Sequence, residues 1–379
     1  MNRSLQTLLA LALGVSVAAA GCNSDSTGPG DDFELLGDIV VLNSVGKTLQ
    51  RFDVEEGDVL TEVGQPITLP ANFDGASFDA FQNLWVTTIS ALGGSQVLFG
   101  TFTTEERAVV EFPAPEGALA DPSRPTMVFD IGGNLAALVA GRGSDAFYLA
   151  TPTQSTAVRL ASDTGEFVER ILPASQTLIG VDGNIDDDGG TFQPLGDPRL
   201  GFYRFLDGSF VDEVILPGAP GVNDAIFLGD NLLVLAGGSF GPAPGFAPVG
   251  DGQAIIVSAI AAEIVRTLDL EGNGVALEGG RDGQAYITRT TGADLSSTDV
   301  LVYSFATGSF ARGPADPIQP RETDGSPIGC WAATALRDGR VLCLTFDVVQ
   351  DGRLVLLDGE GAYLSEIAVG RGATDLFVR

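Results

Sequence analysis

The sequence predicts an all-β fold, a seven-bladed β-propeller of four-stranded antiparallel blades. The first observation is a turn signal, rich in Gly, Asn and Asp, that recurs between two apolar strand patterns. The turns are centred on Asp38, Asn83, Asn134, Asn184, Asn231, Gln284 and Arg340, so the steps between them are 45, 51, 50, 47, 53 and 56 residues. About four short strands fit in one step, which is the content of one propeller blade. A six-bladed ring is the main alternative.

The second observation is the strand pattern inside each repeat. A short apolar strand leads into the turn, and a stronger apolar strand follows it. A third strand such as QAIIVSAI comes next, and a fourth such as EFVERILP or FVDEVILP completes the unit. Short strands joined by Asp-Gly signals predict antiparallel meanders. No long amphipathic helix pattern interrupts them.

The two ends of the folded region supply the third observation. The last residues, ATDLFVR, resemble an inner strand that lacks its following strands. The first folded residues, GDIVVLNSVGKTLQRFDV, resemble a second and third strand that lack the first. Joining them predicts one blade built from both termini, which removes exposed sheet edges where the ring closes.

Composition excludes several classes of function. The chain of 379 residues is 44% apolar and 18% charged, which is typical of a globular protein with a sizeable core. Its net charge of −30 disfavours nucleic acid as a partner and favours cations or basic partners. The chain contains no His, so Ser-His-Asp triads and His-ligated zinc are excluded. We expect a monomer.

The amino terminus predicts export. Arg3 precedes an apolar run, residues 8–20, that is too short for a stable membrane span, so residues 1–21 are interpreted as a signal peptide. Residues 22–32 are small and polar, which predicts a flexible tether. Residues 33–379 then form the propeller domain.

The end of that signal resembles the lipobox of bacterial lipoproteins. Ala19, Ala20 and Gly21 precede Cys22, although Leu is usual where Ala19 stands. The resemblance implies that Cys22 carries lipid and anchors the protein to the cell envelope. Asn23 is compatible with outer-membrane sorting. An ordinary cleaved signal with an incidental Cys is the alternative.

Two stretches resemble the YVTN-type propeller repeat. The family's repeat has a strand that ends in V-N-S and a later strand with I-D or F-D, and residues 39–60, IVVLNSVGKTLQRFDVEEGDVL, resemble it, with L-N-S at the first position. Residues 283–289, GQAYITR, resemble its second strand. The resemblance implies an exported or surface protein that binds a ligand through its propeller. It does not imply one particular ligand.

An acidic stretch, VDGNIDDDGG at residues 181–190, interrupts the fourth repeat. The repeat spacing places Leu178 to Val181 in the inner strand of blade four. Asp182, Asn184, Asp186 and Asp188 are candidate metal ligands, because alternating oxygen ligands of this kind open a calcium loop. A calcium loop ends in a Glu that binds the ion with both carboxylate oxygens, but this sequence has Leu195 at that position. A solvated acidic loop is therefore the alternative.

Carboxylates on the predicted inner strands form a second candidate metal site. Asp79 and Asp130 lie four residues before the turns at Asn83 and Asn134, and the terminal inner strand carries Asp375. Inner strands line the central channel of a propeller. Asn223 and Asp224 enter the inner strand of blade five. These side chains could bind Ca²⁺. Alternatively, they cap loops or bond to neighbouring backbone amides.

The Asn223 position is similar to metal-binding Asn positions of gluconolactonase-type propellers, which use Glu, Asn and Asp. That resemblance implies a metal-dependent lactone or ester hydrolase, with the cation polarising the carbonyl. The early Glu expected in a Gly-Glu-Gly-Pro-like context is missing. No catalytic residue is therefore assigned.

Cys330 and Cys343 both fall in blade seven. A two-residue turn at Asp338-Gly339 would pair Thr334 with Cys343, which places the two thiols about four residues apart along the strands. A disulfide then requires a bulge or another register, and two buried thiols are the alternative.

The sequence favours a non-enzymatic binding or interaction module of the cell envelope. The metal-dependent hydrolase and a purely structural envelope component are the alternatives. We expect an unknown protein or small molecule to bind at one mouth of the propeller near blades two to five. The insertion at residues 237–252 carries Phe240 and Phe246, which are suited to apolar contact with a partner. A flexible tolerated loop is the alternative reading of that insertion.

Overall fold

The computed structural model describes most of the chain after residue 38. The described residues are 39–69, 73–79, 84–91, 94–101, 107–113, 123–131, 134–141, 146–162, 168–174, 176–183, 185–186, 193–194, 196–237, 239–240, 248–249, 251–280, 283–292, 297–347 and 349–378. The predicted signal peptide, Cys22 and the tether lie outside this part of the chain, so they stay predictions. Within the described part, no helix is long and apolar enough to cross a membrane.

The strands form seven antiparallel blades of four strands each, and in blade one the short β4 pairs with β2 as a fifth strand beside the four. Blade one contains β1 (Ile39–Asn43), β2 (Thr48–Glu55), β3 (Val59–Glu62) and the short β4 (Ile67–Thr68). Blade two contains β5 (Phe73–Asp79), β6 (Leu84–Ala91), β7 (Gly94–Thr101) and β8 (Arg107–Glu111). Blade three contains β9 (Thr126–Ile131), β10 (Asn134–Gly141), β11 (Ala146–Ala150) and β12 (Val158–Ser162).

Blades four and five each carry an inserted hairpin. Blade four contains β13 (Val168–Ala174), β14 (Thr177–Asp182), the hairpin β15 (Ile185–Asp186) and β16 (Gln193–Pro194), then β17 (Arg199–Arg204) and β18 (Phe210–Ile215). Blade five contains β19 (Asp224–Leu228), β20 (Asn231–Ala236), the hairpin β21 (Ser239–Phe240) and β22 (Pro248–Val249), then β23 (Gln253–Ser258) and β24 (Glu263–Asp269).

The remaining strands complete the ring. Blade six contains β25 (Asn273–Gly279), β26 (Gln284–Thr290), β27 (Asp299–Ser304) and β28 (Ser309–Arg312). Blade seven contains β29 (Ala332–Ala335), β30 (Val341–Leu344), β31 (Arg353–Leu357) and β32 (Tyr363–Ala368). The last strand, β33 (Ala373–Val378), returns to blade one as its inner strand.

The inner strands contact one another around a closed circle. The order of contact is β5, β9, β13, β19, β25, β29, β33 and again β5. The last strand closes this circle by pairing with β1, with Leu376 opposite Val41 and Phe377 opposite Val40. The prediction that one blade is built from both termini is confirmed.

Apolar packing between blades confirms seven blades rather than six. The described residues form seven buried apolar clusters, and each cluster joins two neighbouring blades. Strand β20 shows how one sheet serves two clusters. Leu232 and Val234 pack toward blade four, whereas Leu233 and Leu235 pack toward blade six. Successive side chains point to opposite faces of a strand, so both faces of a blade are apolar and buried.

Blade four corrects one strand assignment. Leu178 to Val181 were predicted in its inner strand but lie in β14, the second strand. The inner strand is β13, whose sequence, VERILPA, was predicted as part of a fourth strand. The turn between them, near Gln176, has no Gly or Asp-Gly signal, whereas the later acidic insertion supplies one that falls on the repeat spacing by coincidence.

A disulfide joins Cys330 and Cys343, whose Cα atoms are 5.4 Å apart. The predicted register was wrong by one residue, because Ala333 and not Thr334 lies opposite Cys343. The turn is one residue longer than expected, with Leu336 N donating to Arg340 O and Gly339 at φ 88°. The chain also bends at Trp331, before β29, which brings Cys330 beside Cys343 in one buried cluster.

Candidate functional site

The front face of the propeller, defined here as the face where the inner strands begin, gathers the irregular segments. In an antiparallel meander, the connection from the second to the third strand lies on the same face as the start of the inner strand. Both inserted hairpins are such connections. Arg124, which precedes β9, and Trp331, which precedes β29, therefore lie on the front face as well.

The two inserted hairpins are neighbours on this face. Strand β16 of the acidic insertion contacts β21 of the insertion in blade five. Asp186 lies in β15, where it pairs with Gln193, and Phe240 lies in β21, where it pairs with Pro248. The side chains of these two site candidates lie outside the described part of the structure. Asn184, Asp188 and Phe246 lie outside it entirely.

Asp182 lies at the base of the acidic hairpin. Its side chain is 10% exposed, and one carboxylate oxygen accepts a hydrogen bond from Nε of Arg199 at 3.1 Å. Arg199 also lies 3.4 Å from the carboxylate of Glu213. Burial lowers the pKa of Arg199, but its bond to Asp182 and the nearby negative charges raise it above its usual value overall. Asp182 is thus held in an ion pair.

Asn223 packs under the base of the second hairpin. Its side-chain amide is 3.5 Å from the carbonyl oxygen of Gly274 and lies against Gly237. A Cβ at Gly237 would lie 2.3 Å from that amide nitrogen, so this close approach requires glycine. These contacts give Asn223 a structural role between blades five and six.

Five charged side chains meet in the central channel, and we call them the channel cluster. They are Arg124, Arg170, Asp224, Glu278 and Asp375. Arg124 spans the channel, because Nη1 lies 3.1 Å from Asp224 and Nη2 lies 2.8 Å from Asp375. Arg170 adds a second contact to Asp224 at 2.6 Å. These ion pairs link blades three, four, five and one across the ring.

Burial and nearby charges strongly shift the pKa values of two groups in the channel cluster. Burial lowers the pKa of Arg124, but the surrounding carboxylates outweigh this effect and raise it above its usual value. Burial raises the pKa of Glu278 to about 8, an effect that Arg124 opposes and Asp375 and Asp224 reinforce. Glu278 therefore carries a proton at neutral pH, whereas Arg124 stays charged.

In the described part of the structure, the channel cluster does not support the candidate metal site. The two oxygens of Asp224 accept from Arg170 and Arg124, respectively. Among the described residues, no group of three or more His, Cys, Asp or Glu could hold a metal ion. The structure places Asp79 and Asp130 on inner strands β5 and β9, but their side chains lie outside the described part. The Ca²⁺ prediction thus remains untested there.

Sequence reasoning missed the arginines and Glu278 of the channel cluster. Arg124 lies in the loop before β9, not on a strand, and Arg170 lies in the strand that was assigned wrongly. Glu278 could have been found, because it lies on an inner strand close to its turn. An aromatic pair was also missed, in which Trp331 stacks on Phe346 with ring centroids 4.7 Å apart. Trp331 Nε1 donates to the carbonyl oxygen of Thr374, next to Asp375.

Comparison with known proteins supports the fold. No family model and no curated protein matches the chain, so the YVTN-type resemblance stays a prediction. Among solved structures, a hypothetical selenium-binding protein from Sulfolobus tokodaii matches with a TM-score of 0.60 at 10% identity, over 92% of this chain and 94% of that one. The Pseudomonas aeruginosa periplasmic gluconolactonase matches with a TM-score of 0.58 at 13% identity, over 91% and 99%. Dihydro-heme d1 dehydrogenase NirN matches with a TM-score of 0.52 at 14% identity, over 95% and 78%.

The buried acid of the channel cluster should control the pH dependence of stability. Burial raises the pKa of Glu278 from 4.5 to about 8, so the folded state keeps a proton that the unfolded state releases between these values. That stabilisation is full below the lower value and is lost as pH rises through the upper one. Glu278→Gln cannot ionise, so we expect it to be more stable than the parent above about pH 8, by a few kcal/mol, since one pKa unit corresponds to about 1.4 kcal/mol.

Urea unfolding at about pH 5 and about pH 8.5 measures this effect. Glu263→Gln, at an exposed position of β24, is the matched control and should follow the parent at both pH values. Parallel pH profiles for the parent and Glu278→Gln would contradict the assignment.

Proposed function

We propose that this protein is an exported, envelope-anchored binding module that takes its ligand at the front face of the propeller. The observation that carries the proposal is the contact between the two inserted hairpins, β16 with β21. Blades four and five thus each carry an insertion between their second and third strands, and the two insertions contact each other. Loops on a rigid scaffold are where binding residues concentrate, so this joint extension is the favoured docking site.

Two members of the channel cluster lie toward the same face. Asp224 begins β19 and Arg124 precedes β9, so both are at the front opening of the channel, whereas Glu278 lies near the other end of its strand, β25. The stacked Trp331 and Phe346 lie on this face as well, and Phe346 is 38% exposed. An apolar platform beside a few fixed polar groups is a common composition for a ligand site.

The anchoring part of the proposal rests on the sequence. The lipobox-like residues before Cys22 favour a lipid-modified amino terminus, with residues 22–32 as the tether. The propeller fold is shared with the Pseudomonas aeruginosa periplasmic gluconolactonase, which is itself named as a periplasmic protein. We propose the cell envelope, outer membrane included, as the location and a monomer as the functional form.

A metal-dependent lactone or ester hydrolase is the second candidate. It is favoured by the fold shared with a gluconolactonase and by Asp79 and Asp130 on inner strands of the same channel. It is disfavoured because Arg124 and Arg170 donate hydrogen bonds to both carboxylate oxygens of Asp224. Metal analysis of the purified protein, combined with a lactone hydrolysis assay, separates the two candidates.

Deleting residues 239–250 is expected to abolish capture of the native ligand from envelope extracts while the protein stays folded. The reason is that this deletion removes β21 and β22 and leaves the blade sheets intact. Leu206→Ser, in the turn between β17 and β18 on the opposite face, is the control and should retain capture. Quantitative crosslinking followed by mass spectrometry measures the difference. Equal capture by the folded deletion variant would refute binding at the front face.

A further inference from the structure

Among the described acids of the channel, Glu278 forms no ion pair. Glu278 is 8% exposed and lies on β25, one residue before Gly279, whose carbonyl oxygen accepts a hydrogen bond from Thr334 on β29. No hydrogen bond or ion pair joins the Glu278 carboxyl to any other described residue, although the charges of the channel cluster surround it. A buried carboxyl without a partner is energetically unfavourable and therefore marks an unfilled position.

The surrounding charges are already engaged with one another. Arg124 and Arg170 carry two positive charges, which Asp224 and Asp375 balance. The neighbouring strand β29 has the sequence AATA and carries no titratable group, and Arg289 on β26 pairs with Asp299 instead. The channel cluster therefore lacks one positive charge when Glu278 is ionised.

A second polar group of the channel cluster also lacks a hydrogen-bond partner among the described residues. Nε of Arg170 is buried and has no hydrogen-bond acceptor among the described residues. Its Nη1 is fixed on Asp224 at 2.6 Å, so the guanidinium cannot turn to satisfy Nε without losing that bond. In the described part of the channel, one carboxyl thus lacks a cation and one N–H lacks an acceptor.

We propose that the channel binds a small amine that carries a hydroxyl or carbonyl oxygen near its ammonium group. The ammonium pairs with Glu278, and the oxygen accepts a hydrogen bond from Nε of Arg170. This inference deepens the proposed binding function and rests on it. The net charge of −30 raises the local concentration of such cations and repels anions.

Binding of this kind is linked to a proton. Glu278 is protonated at neutral pH because burial raises its pKa to about 8, so the ammonium must displace that proton to solvent. The charged groups that face Glu278 are Arg124, Arg170, Asp224 and Asp375. Affinity should then rise on the order of tenfold from about pH 6.5 to about pH 8, because the ionised fraction of Glu278 rises by that factor.

Calorimetric titration of the full chain with ethanolamine tests the inference. Two buffers with different ionisation enthalpies report the proton released, and we expect close to one proton per bound amine at about pH 7. Ethylamine, which lacks the oxygen, should bind on the order of tenfold more weakly, since it leaves Nε of Arg170 unpaired. Glu278→Gln should lose binding, whereas Glu263→Gln should keep it.

The outcomes separate this inference from the proposed function. Absence of ethanolamine binding at millimolar concentration, equal binding by Glu278→Gln, or binding of Ca²⁺ or acetate in preference to the amine would each overturn it. If the amine fails while deletion of residues 239–250 still abolishes native ligand capture, only the amine inference falls. If the amine binds the parent but the deletion leaves capture intact, the amine site stands and the front-face docking proposal falls.

Discussion

Removing residues 373–379 is expected to abolish cooperative folding of the whole ring, not of blade one alone. Strand β33 is the inner strand of blade one, and it contacts the inner strands β29 and β5 on its two sides. Its loss exposes the edge of β1 and removes Ala373 and Leu376 from the cluster between blades seven and one. Leu→Ala at one buried site costs about 2–5 kcal/mol, and total stability is about 5–15 kcal/mol, so loss of the strand exceeds what the fold tolerates.

A circular permutant is the matched control for this deletion. Joining residue 378 to residue 39 through a short Asn-Gly turn and opening the chain at Gly218 keeps every strand, because Gly218 is exposed between β18 and β19. The permutant should unfold in one transition with a midpoint close to that of the parent. Thermal unfolding followed by circular dichroism measures both variants. A deletion variant that unfolds like the parent would show that β33 does not close the ring.

The sequence was sufficient for the fold because each blade repeats the same chemistry. Strands with two apolar faces and Gly, Asn or Asp turns recur at nearly constant spacing, and this pattern depends only on local residue types. Blade four was assigned wrongly because its first turn lacks those residues and its insertion contains them. One extra turn residue, with Gly339 at positive φ, shifted the expected register around Cys343.

The site was less predictable because it is assembled across blades. Asp224 and Asp375 were found by their place on inner strands, but their partner Arg124 is distant in sequence from both. Its long side chain extends into the channel from a loop, and no local sequence pattern predicts that contact. Whether a carboxylate binds a metal or an arginine depends on such long-range contacts.

Replacing Arg124 by Met is expected to destabilise the protein by about 3–5 kcal/mol, because it leaves Asp375 buried without its counter-ion. The Arg124 side chain is 16% exposed and that of Asp375 is 10% exposed, so solvent screens the lost interaction only weakly. Asp224 loses one of its two arginine contacts and keeps that of Arg170. Arg204→Met, at an exposed ion pair with Asp207, is the control and should change stability by less than about 1 kcal/mol.

A double-mutant cycle decides whether the effect arises from the ion pair. Asp375→Asn alone should destabilise the protein, and combining it with Arg124→Met should cost less than the sum of the two single changes, because the uncompensated charge is gone. We expect a coupling free energy of about 1–3 kcal/mol by urea unfolding. Strict additivity would mean that Arg124 acts by packing against Phe377, whose ring centroid lies 5.5 Å from its guanidinium carbon, and not by joining blades three and one through charge.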